Sequence, residues 1–345
     1  MGIGFSAVER LHQQGIECPV SLKMKWMALT LQIEKQNEKQ NRQCKELTER
    51  LEHDRLRCCI LKGQGNLLNY PEHLRLRRNP GDIDIWCIAP AEGLPIAVQS
   101  GKDRTEYVTY HGRRGIIEYV RMQHRLAGNY KHHITYHHID APNYEGTPIE
   151  IHFRPAHLYS PYRNWYLQRW FEKNTIACMN NRTQIGFSIP TSSTNVVFQM
   201  THIYKHHIDG GIGFRQLMDY YFALKTWNVE CGALSSEEIM SVLCSFGMRK
   251  FAAAVIWVLH EVFTMPTHYY ICEPNEKEGR KLLAEIMQGG NFGLHGKERP
   301  NVYRHRINYH IWNFKRLSRL FVSYPEEALC EPFFRVWHLI WRCLV

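Results

Sequence analysis

The sequence lacks a hydrophobic run long enough to cross a membrane. Its longest apolar stretch, residues 251–263, is interrupted by His260 and Glu261, whereas a transmembrane helix needs about 20 consecutive apolar residues. The basic start and apolar core of a secretory signal are also missing from the first residues. We therefore expect no membrane among the partners of this protein.

The cysteines lack the pattern of a disulfide framework. There are 11 of them, an odd number, scattered without a Cys-x-x-Cys pair. The sequence also contains no Gly-x-Ser-x-Gly segment, which forms the nucleophile turn of many serine hydrolases. These absences predict a cytoplasmic protein with free thiols, and they leave serine or cysteine hydrolysis without support.

Internal repeats and low-complexity segments are missing as well, so the chain is expected to form packed domains. Hydrophobic residues occupy 44% of its 345 positions and charged residues 22%, as in ordinary globular proteins. The formal net charge is +10, which suits a phosphate-bearing partner such as a nucleotide or nucleic acid. That charge is spread over the whole chain and does not choose between the two.

Three regions of different character follow one another along the chain. Residues 1–55 are predicted to be an N-terminal helical segment, because residues 21–53 contain neither glycine nor proline. Residues 56–190 alternate short β-rich runs with turn residues and predict an α/β domain with a mixed sheet. Residues 191–345 predict a helical domain. The expected fold class is α+β, a mixed sheet followed by helices.

The local pattern predicts individual elements within these regions. The predicted strands are residues 57–61, 83–88, 106–110, 116–121 and 149–153. Between two of these runs, the glycines of residues 111–115 predict a hairpin turn. The near-repeat at residues 34–41 is polar on every side and is expected to be a solvated part of its helix.

Two aspartates, Asp82 and Asp84, carry the strongest chemical signal. Side chains alternate along a strand, so both aspartates project from one face while Ile83 and Ile85 enter the core. A later alternating strand offers Glu150 in the same way. Neighbouring carboxylates repel one another, and a divalent cation relieves that repulsion. Asp82, Asp84 and Glu150 are the predicted metal ligands and catalytic residues of a two-Mg²⁺ site.

A glycine-containing turn upstream predicts a binding site for phosphate. Lys62, Gly63 and Gln64 lie between a strand and a short helix, where backbone N–H groups and a lysine can meet an anion. Arg78 ends a basic cluster just before the aspartates, and guanidinium groups bind phosphate well. These four residues are predicted to bind the triphosphate of a nucleotide.

These motifs resemble those of a known family, the uncharacterised bacterial nucleotidyltransferases of the DNA polymerase β-like superfamily. The resemblance rests on Lys62-Gly63, Tyr70-Pro71, the arginines of residues 75–78, Gly81-Asp82-Ile83-Asp84, residues 150–154, His202, His206 and residues 211–220. It covers roughly residues 58–224 and implies that residues 56–190 form a nucleotidyltransferase-like α/β domain. It implies that Arg215 and Asp219 also belong to the nucleotide site, and that Mg²⁺ or Mn²⁺ is the cofactor. Four residues apart on a predicted helix, these two side chains could instead simply form a salt bridge with each other.

The same resemblance implies an enzyme that moves a nucleoside monophosphate from an NTP to an acceptor hydroxyl and releases pyrophosphate. Asp82 and Asp84 would hold both metal ions, and Glu150 would complete the site and help to deprotonate the acceptor. The acceptor stays open among a small molecule, a sugar, a protein side chain and an RNA end. The oligomeric state also stays open.

Two alternatives stand beside this prediction. The first is a non-catalytic nucleotide- or RNA-binding module on the same fold. It is favoured by the segment from Gly63 to Asp82, which is longer than in the superfamily and has Gln64 where the superfamily has serine or glycine. The second is a zinc site at His132-His133 and His137-His138. The irregular spacing of these histidines and the lack of a cysteine between them argue against zinc. Ordinary surface or core positions explain these histidines better.

Overall fold

The computed structural model describes residues 3–99, 105–128, 132–230, 232–289 and 306–344. The strands are β1 (Arg57–Ile60), β2 (Ile83–Ile88), β3 (Leu94–Gln99), β4 (Thr105–Tyr110), β5 (His138–Tyr144) and β6 (Thr147–His152). The helices are α1 (Ile3–Gln13), α2 (Val20–His53), α3 (Gln64–Leu67), α4 (Glu72–Arg75), α5 (Gly112–Leu126), α6 (Pro161–Asn180), α7 (Ser192–Asp209), α8 (Phe214–Val229), α9 (Ser236–Ser245), α10 (Arg249–Phe263), α11 (Glu276–Gly289), α12 (Arg306–Phe321) and α13 (Pro325–Leu344). The predicted α+β fold class is confirmed.

Four of the strands form one mixed sheet in the order β1-β2-β6-β5. Strand β2 pairs antiparallel with β1 and parallel with β6, and β5 pairs antiparallel with β6. Strands β3 and β4 form a separate antiparallel pair. The parallel pairing of β2 with β6 matters most for function, since it aligns the two strands that carry predicted acidic ligands.

One face of the four-stranded sheet is apolar and forms the core of this region. Ile83, Ile85, Ile149 and Ile151 are at most 3% exposed. Ile149 and Ile151 line a cavity of about 320 Å³ together with side chains of α2 and α5. Each buried isoleucine stabilises the fold by roughly 1.5–3 kcal/mol. The intervening side chains of β2 and β6 therefore project from the opposite face of the sheet.

Helix α5 replaces two predicted features. The strand predicted at residues 116–121 and the hairpin turn predicted at residues 111–115 are both wrong, because helix α5 occupies residues 112–126. Its buried side chains, among them Ile116, Ile117 and Val120, recur at helical spacing. A short apolar run fits the period of a strand as well as that of a helix. Packing against β3 and β5 favours the helix here.

Helix α2 confirms the predicted helix, but the solvation predicted for its polar residues is wrong on one face. Asn37 and Gln40 are at most 2% exposed. Asn37 Nδ2 donates to Leu76 O at 2.6 Å and to Arg78 O at 2.8 Å, and Gln40 Nε2 donates to Gly81 O at 2.5 Å. Buried amides are stable when they satisfy backbone groups in this way. The helix thus supports the loop that leads into β2.

Replacement of Asn37 by alanine should therefore destabilise the protein. The substitution leaves two backbone carbonyls of the loop without their donor, at a cost of about 1–3 kcal/mol. Urea unfolding followed by circular dichroism measures this loss. The control is Glu38→Ala, an exposed position on the same helix, which should change stability little. Equal stability of the two variants would contradict the supporting role of Asn37.

The chain divides into two compact units, one of Met1–Pro155 with Ile176–Pro190 and the other of Ala156–Thr175 with Thr191–Val345. The described elements of the second unit are helices. Its α10 is deeply buried, and Gly279 of α11 lies so close to Trp257 that a Cβ would fall 2.4 Å from the indole ring. Within the described ranges, no helix has the length and apolar character needed to cross a membrane.

Candidate active site

Two carboxylates lie side by side on the polar face of the sheet. The parallel register of β2 and β6 pairs Asp84 with Glu150. Alternation along each strand turns both side chains away from the buried isoleucines. Asp82 comes immediately before the first residue of β2, two positions from Asp84. The three predicted metal ligands therefore belong to adjoining parts of two paired strands.

Asp84 is buried between two basic side chains. Its Oδ1 lies 2.9 Å from Lys62 Nζ and 3.0 Å from His152 Nε2, and the side chain is 1% exposed. Burial by itself would lower the pKa of Lys62, but the charges of Asp84, Asp82 and Glu150 raise it above its ordinary value. Lys62 is therefore charged, and it balances a carboxylate that would be costly to bury alone.

The turn after β1 brings Lys62 to this carboxylate. The backbone N–H of Leu61 donates to Asp84 O at 3.0 Å, which holds the end of β1 against β2. Gly63 then takes φ 58° and ψ −109°, a conformation that residues with a Cβ rarely adopt. Glycine at this position is thus a requirement of the turn, and helix α3 begins at the next residue.

The side chain of Gln64 contacts helix α2. Its Nε2 donates to Asn37 O at 3.0 Å and to Asn41 Oδ1 at 2.9 Å, and the residue is 2% exposed. The sequence predicts that Gln64 binds the triphosphate. Because its side-chain amide is used in these contacts, the backbone N–H is the part of Gln64 that such binding would use.

Two histidines flank Glu150. Its Oε2 lies 3.4 Å from His152 Nε2 and 3.3 Å from His138 Nδ1. Burial would raise the pKa of Glu150, but the hydrogen bond and charge of His152 lower it. Burial would lower the pKa of His152, yet Asp84 and Glu150 raise it to about 9. Burial and the charge of His152 lower the pKa of His138 to about 2. At neutral pH, His152 is cationic and His138 is neutral.

The raised pKa of His152 predicts that stability falls as the pH rises. The folded protein raises this pKa from 6.5 to about 9, so it holds the proton more tightly than the unfolded chain does. The stabilisation from this group is complete below pH 6.5 and is lost as the pH rises through about 9. Calorimetry without divalent metal should show Tm falling by several degrees over that interval. His152→Gln should reduce the slope, and an unchanged slope would contradict the assignment.

The remaining predicted nucleotide ligands lie in two places. Arg78 is in the loop between α4 and β2, is 7% exposed, and accepts a hydrogen bond from Asn37 at its carbonyl. Arg215 and Asp219 lie on α8 in the second unit, four residues apart on one side of that helix. The roles of all three in nucleotide binding stay predictions.

Three residues that the sequence prediction left out of the site also contact this part of the sheet. Asp140 pairs with Glu150 across β5 and β6, so Asp84, Glu150 and Asp140 form a row over three strands. His138 and His152 pair in the next row. Burial raises the pKa of Asp140 above its ordinary value, and Glu150 adds to that effect while His133 opposes it. The spacing of His138 and Asp140 is the strand signal that would have revealed them.

This row of carboxylates fits a divalent metal ion. Carboxylate oxygens of Asp84 and Glu150 lie within 4.8 Å of each other. Asp84 Oδ2 is buried and has no hydrogen-bond partner among the described residues, so one carboxylate oxygen remains available to an ion. Carboxylate oxygens are the ligands that Mg²⁺ and Mn²⁺ prefer in proteins. The residues present therefore suit such an ion chemically.

Comparison with known protein families agrees with this chemistry. The sequence model of the family described as uncharacterised nucleotidyltransferase matches residues 2–264. The chain belongs to this family. No curated protein and no solved structure matches it.

Membership of the uncharacterised nucleotidyltransferase family confirms the resemblance of the motifs to uncharacterised nucleotidyltransferases. The matched residues include every predicted site residue, from Lys62 to Asp219. Membership implies an NTP substrate, and nucleotidyltransferases usually use divalent metals, for which the described residues include possible acidic and histidine ligands. Helices α11, α12 and α13 lie beyond the matched residues.

Proposed function

We propose that this protein transfers a nucleoside monophosphate from an NTP to an acceptor hydroxyl with release of pyrophosphate. One observation carries the proposal: Asp84 and Glu150 stand in register on adjoining strands, with Lys62 beside them. Carboxylates and an anion-binding turn this close together allow a triphosphate and a proton acceptor to meet in one place. The family match supports nucleotidyl transfer in general.

Asp82, Asp84 and Glu150 would hold Mg²⁺ or Mn²⁺ in this reaction. When bound, the ions neutralise the charge that develops on the phosphate oxygens. Lys62 would bind a phosphate oxygen through Nζ, since an ammonium group that already pairs with Asp84 can also contact a second anion nearby. The backbone N–H groups of the following turn would orient the triphosphate.

Glu150 would accept the proton of the acceptor hydroxyl. Both contacts of Glu150 with His138 and His152 involve Oε2, so Oε1 is the oxygen that would take the proton. The lowered pKa keeps this carboxylate ionised at neutral pH, as a base must be. His152 acts as a positioning residue, because its protonated Nε2 lies between Asp84 and Glu150 and holds them together.

A second candidate function is nucleotide binding without turnover, and the pairing of Asp84 favours it. Lys62 and His152 already balance the charge of Asp84 without a metal ion. Calorimetry of NTP binding with and without Mg²⁺ separates the two functions. A metal-using transferase should bind NTP much more tightly with Mg²⁺, whereas a basic-patch binder should lose affinity steeply with salt and ignore Mg²⁺.

The acceptor can be found by following the label of the transferred nucleotide. The protein is incubated with each NTP labelled at the α-phosphorus and with fractions of a total cell extract. We expect label in one fraction of small molecules, sugars, protein or RNA, and none with Asp82→Asn. Labelling that is unchanged in that variant, with folding confirmed, would contradict the proposed function.

A further inference from the structure

A short hairpin places a histidine opposite Asp140. An antiparallel bridge joins Ile134 to Ile139, and Asp140 N donates to His133 O at 2.9 Å. Opposed residues of such a pair share one face, and so do residues two apart on a strand. His133, His138 and Asp140 therefore project from the same side of the hairpin.

These three side chains come close enough to share an ion. His138 Nε2 lies 3.6 Å from Asp140 Oδ1, and the ligand atoms of all three residues are within 4.8 Å of one another. Two ligands on a tetrahedral zinc ion are separated by about 3.3 Å, given bonds of about 2.0–2.1 Å. His138 is buried, Asp140 is half-buried and His133 is exposed, so the group opens to solvent on the His133 side.

The other nitrogen of His138 supplies an independent observation. His138 Nδ1 lies 3.3 Å from Glu150 Oε2, while Nε2 is directed to Asp140. Histidines that bind metal commonly donate their second ring N–H to a carboxylate, which fixes the tautomer and the ring orientation. At His138, the Nδ1 nitrogen faces two acceptors, Glu150 Oε2 at 3.3 Å and His137 Nε2 at 3.2 Å. The imidazole is thus already set to present Nε2 as a ligand atom.

We propose that His133, His138 and Asp140 form a zinc-type metal site, separate from the Mg²⁺ site of Asp82, Asp84 and Glu150. Imidazole nitrogens with one carboxylate suit zinc and related transition-metal ions, whereas Mg²⁺ prefers oxygen ligands. An ion here would neutralise one end of the acidic row and fasten the hairpin to the sheet. The inference does not depend on the transfer reaction.

A competing group of three histidines is a poorer site. His137, His138 and His152 also come within 4.8 Å of one another. His152 Nε2 already contacts Asp84 Oδ1 at 3.0 Å. His137 Nε2 lies 3.2 Å from His138 Nδ1, the nitrogen of His138 that also faces Glu150. This group holds no carboxylate to balance the charge of an ion. It serves as the alternative that the experiment must exclude.

Cobalt binding tests the proposal on the full-length protein, prepared without a histidine tag. Co²⁺ is titrated in the presence of a large excess of Mg²⁺, and the visible d–d absorption of four-coordinate cobalt is followed. We expect one equivalent to bind. His133→Ala and Asp140→Asn should each weaken binding by about tenfold or more. Zn²⁺ should displace the cobalt.

Control variants separate this site from its neighbours. His53→Ala, at a side chain that is 89% exposed, and His137→Ala should both keep the cobalt absorption. Asp82→Asn should also keep the cobalt absorption, even where NTP turnover is lost. A failure of the transferase proposal can therefore be distinguished from a failure of the metal-site proposal. The proposal is overturned if Mg²⁺ abolishes the absorption, if His133→Ala leaves it intact, or if His137→Ala removes it.

Discussion

Replacement of Asp84 by asparagine is expected to lower the rate of metal-dependent NTP turnover by about 10³-fold or more. Asp84 contributes both a carboxylate for the proposed ion and the shared counter-charge of Lys62 and His152. Removal of one member of a buried charge pair leaves the other uncompensated, which costs about 3–5 kcal/mol. Stability should therefore fall together with activity. NTP turnover and urea unfolding of the same preparation measure the two losses.

A double variant separates these two effects. Lys62→Met combined with Asp84→Asn removes both members of the pair, and His152 can then lose its proton. Stability should recover much of what Asp84→Asn lost, because replacing both partners of a buried pair is far less costly than removing one. Turnover should stay lost. If the double variant regained turnover, Asp84 would be a structural residue only.

Glu150→Gln is expected to lower turnover by about 10²–10⁴-fold while NTP still binds with Mg²⁺. The amide cannot accept a proton from the acceptor hydroxyl, whereas Asp82, Asp84 and Lys62 remain for the triphosphate. Binding is measured by calorimetry with a non-hydrolysable NTP analogue, and turnover by release of pyrophosphate. The expected signature is a large loss of rate with a small change in affinity.

Glu145→Gln provides the matched control for that variant. Glu145 lies in the turn between β5 and β6, is exposed, and pairs with Arg42 at the surface. Exposed ion pairs contribute little to stability, so this variant should keep both turnover and binding. A proportional loss of binding and turnover in Glu150→Gln would show that Glu150 holds the nucleotide and does not accept the proton.

The acidic residues were predictable because strand alternation is a local property. Ile83 and Ile85 mark the buried face of β2, which leaves Asp82 and Asp84 on the other. The pairing of Asp84 with Glu150 is not local, because it depends on the parallel register of two strands far apart in the chain. Strand alternation therefore predicts which side chains share a face of their own strand, but not which strands are neighbours.

The support of the site by α2 was hidden for a physical reason. Asn37 and Gln40 are polar, and polar residues on a helix are normally solvated. Their burial depends on loop carbonyls near Gly81, whose positions follow only from the tertiary fold. For α5 the difficulty was a different one. The apolar run that includes Ile116 fits a strand as well as a helix until its packing partners are known.

The proposed zinc-type site at His133, His138 and Asp140 also depends on contacts that the sequence does not reveal, here between residues close together in the chain. Spacing along the chain gives no reason to join His133 with Asp140, and neither strand β5 nor its hairpin partner was predicted. The antiparallel bridge at Ile134 and Ile139 makes them neighbours. Ligand-spacing rules describe helices and short loops best, so they do not predict a metal site that depends on the register of a hairpin.

The central claim is nucleotidyl transfer, and two positions of a phosphorus label test it most directly. NTP labelled at the α-phosphorus and NTP labelled at the γ-phosphorus are incubated separately with the protein, Mg²⁺ and the acceptor-containing fraction. We predict that the α label joins the acceptor while the γ label appears in pyrophosphate at the same rate, and that Asp82→Asn abolishes both. Transfer of the γ label to the acceptor, or its release as orthophosphate without acceptor labelling, would contradict the account.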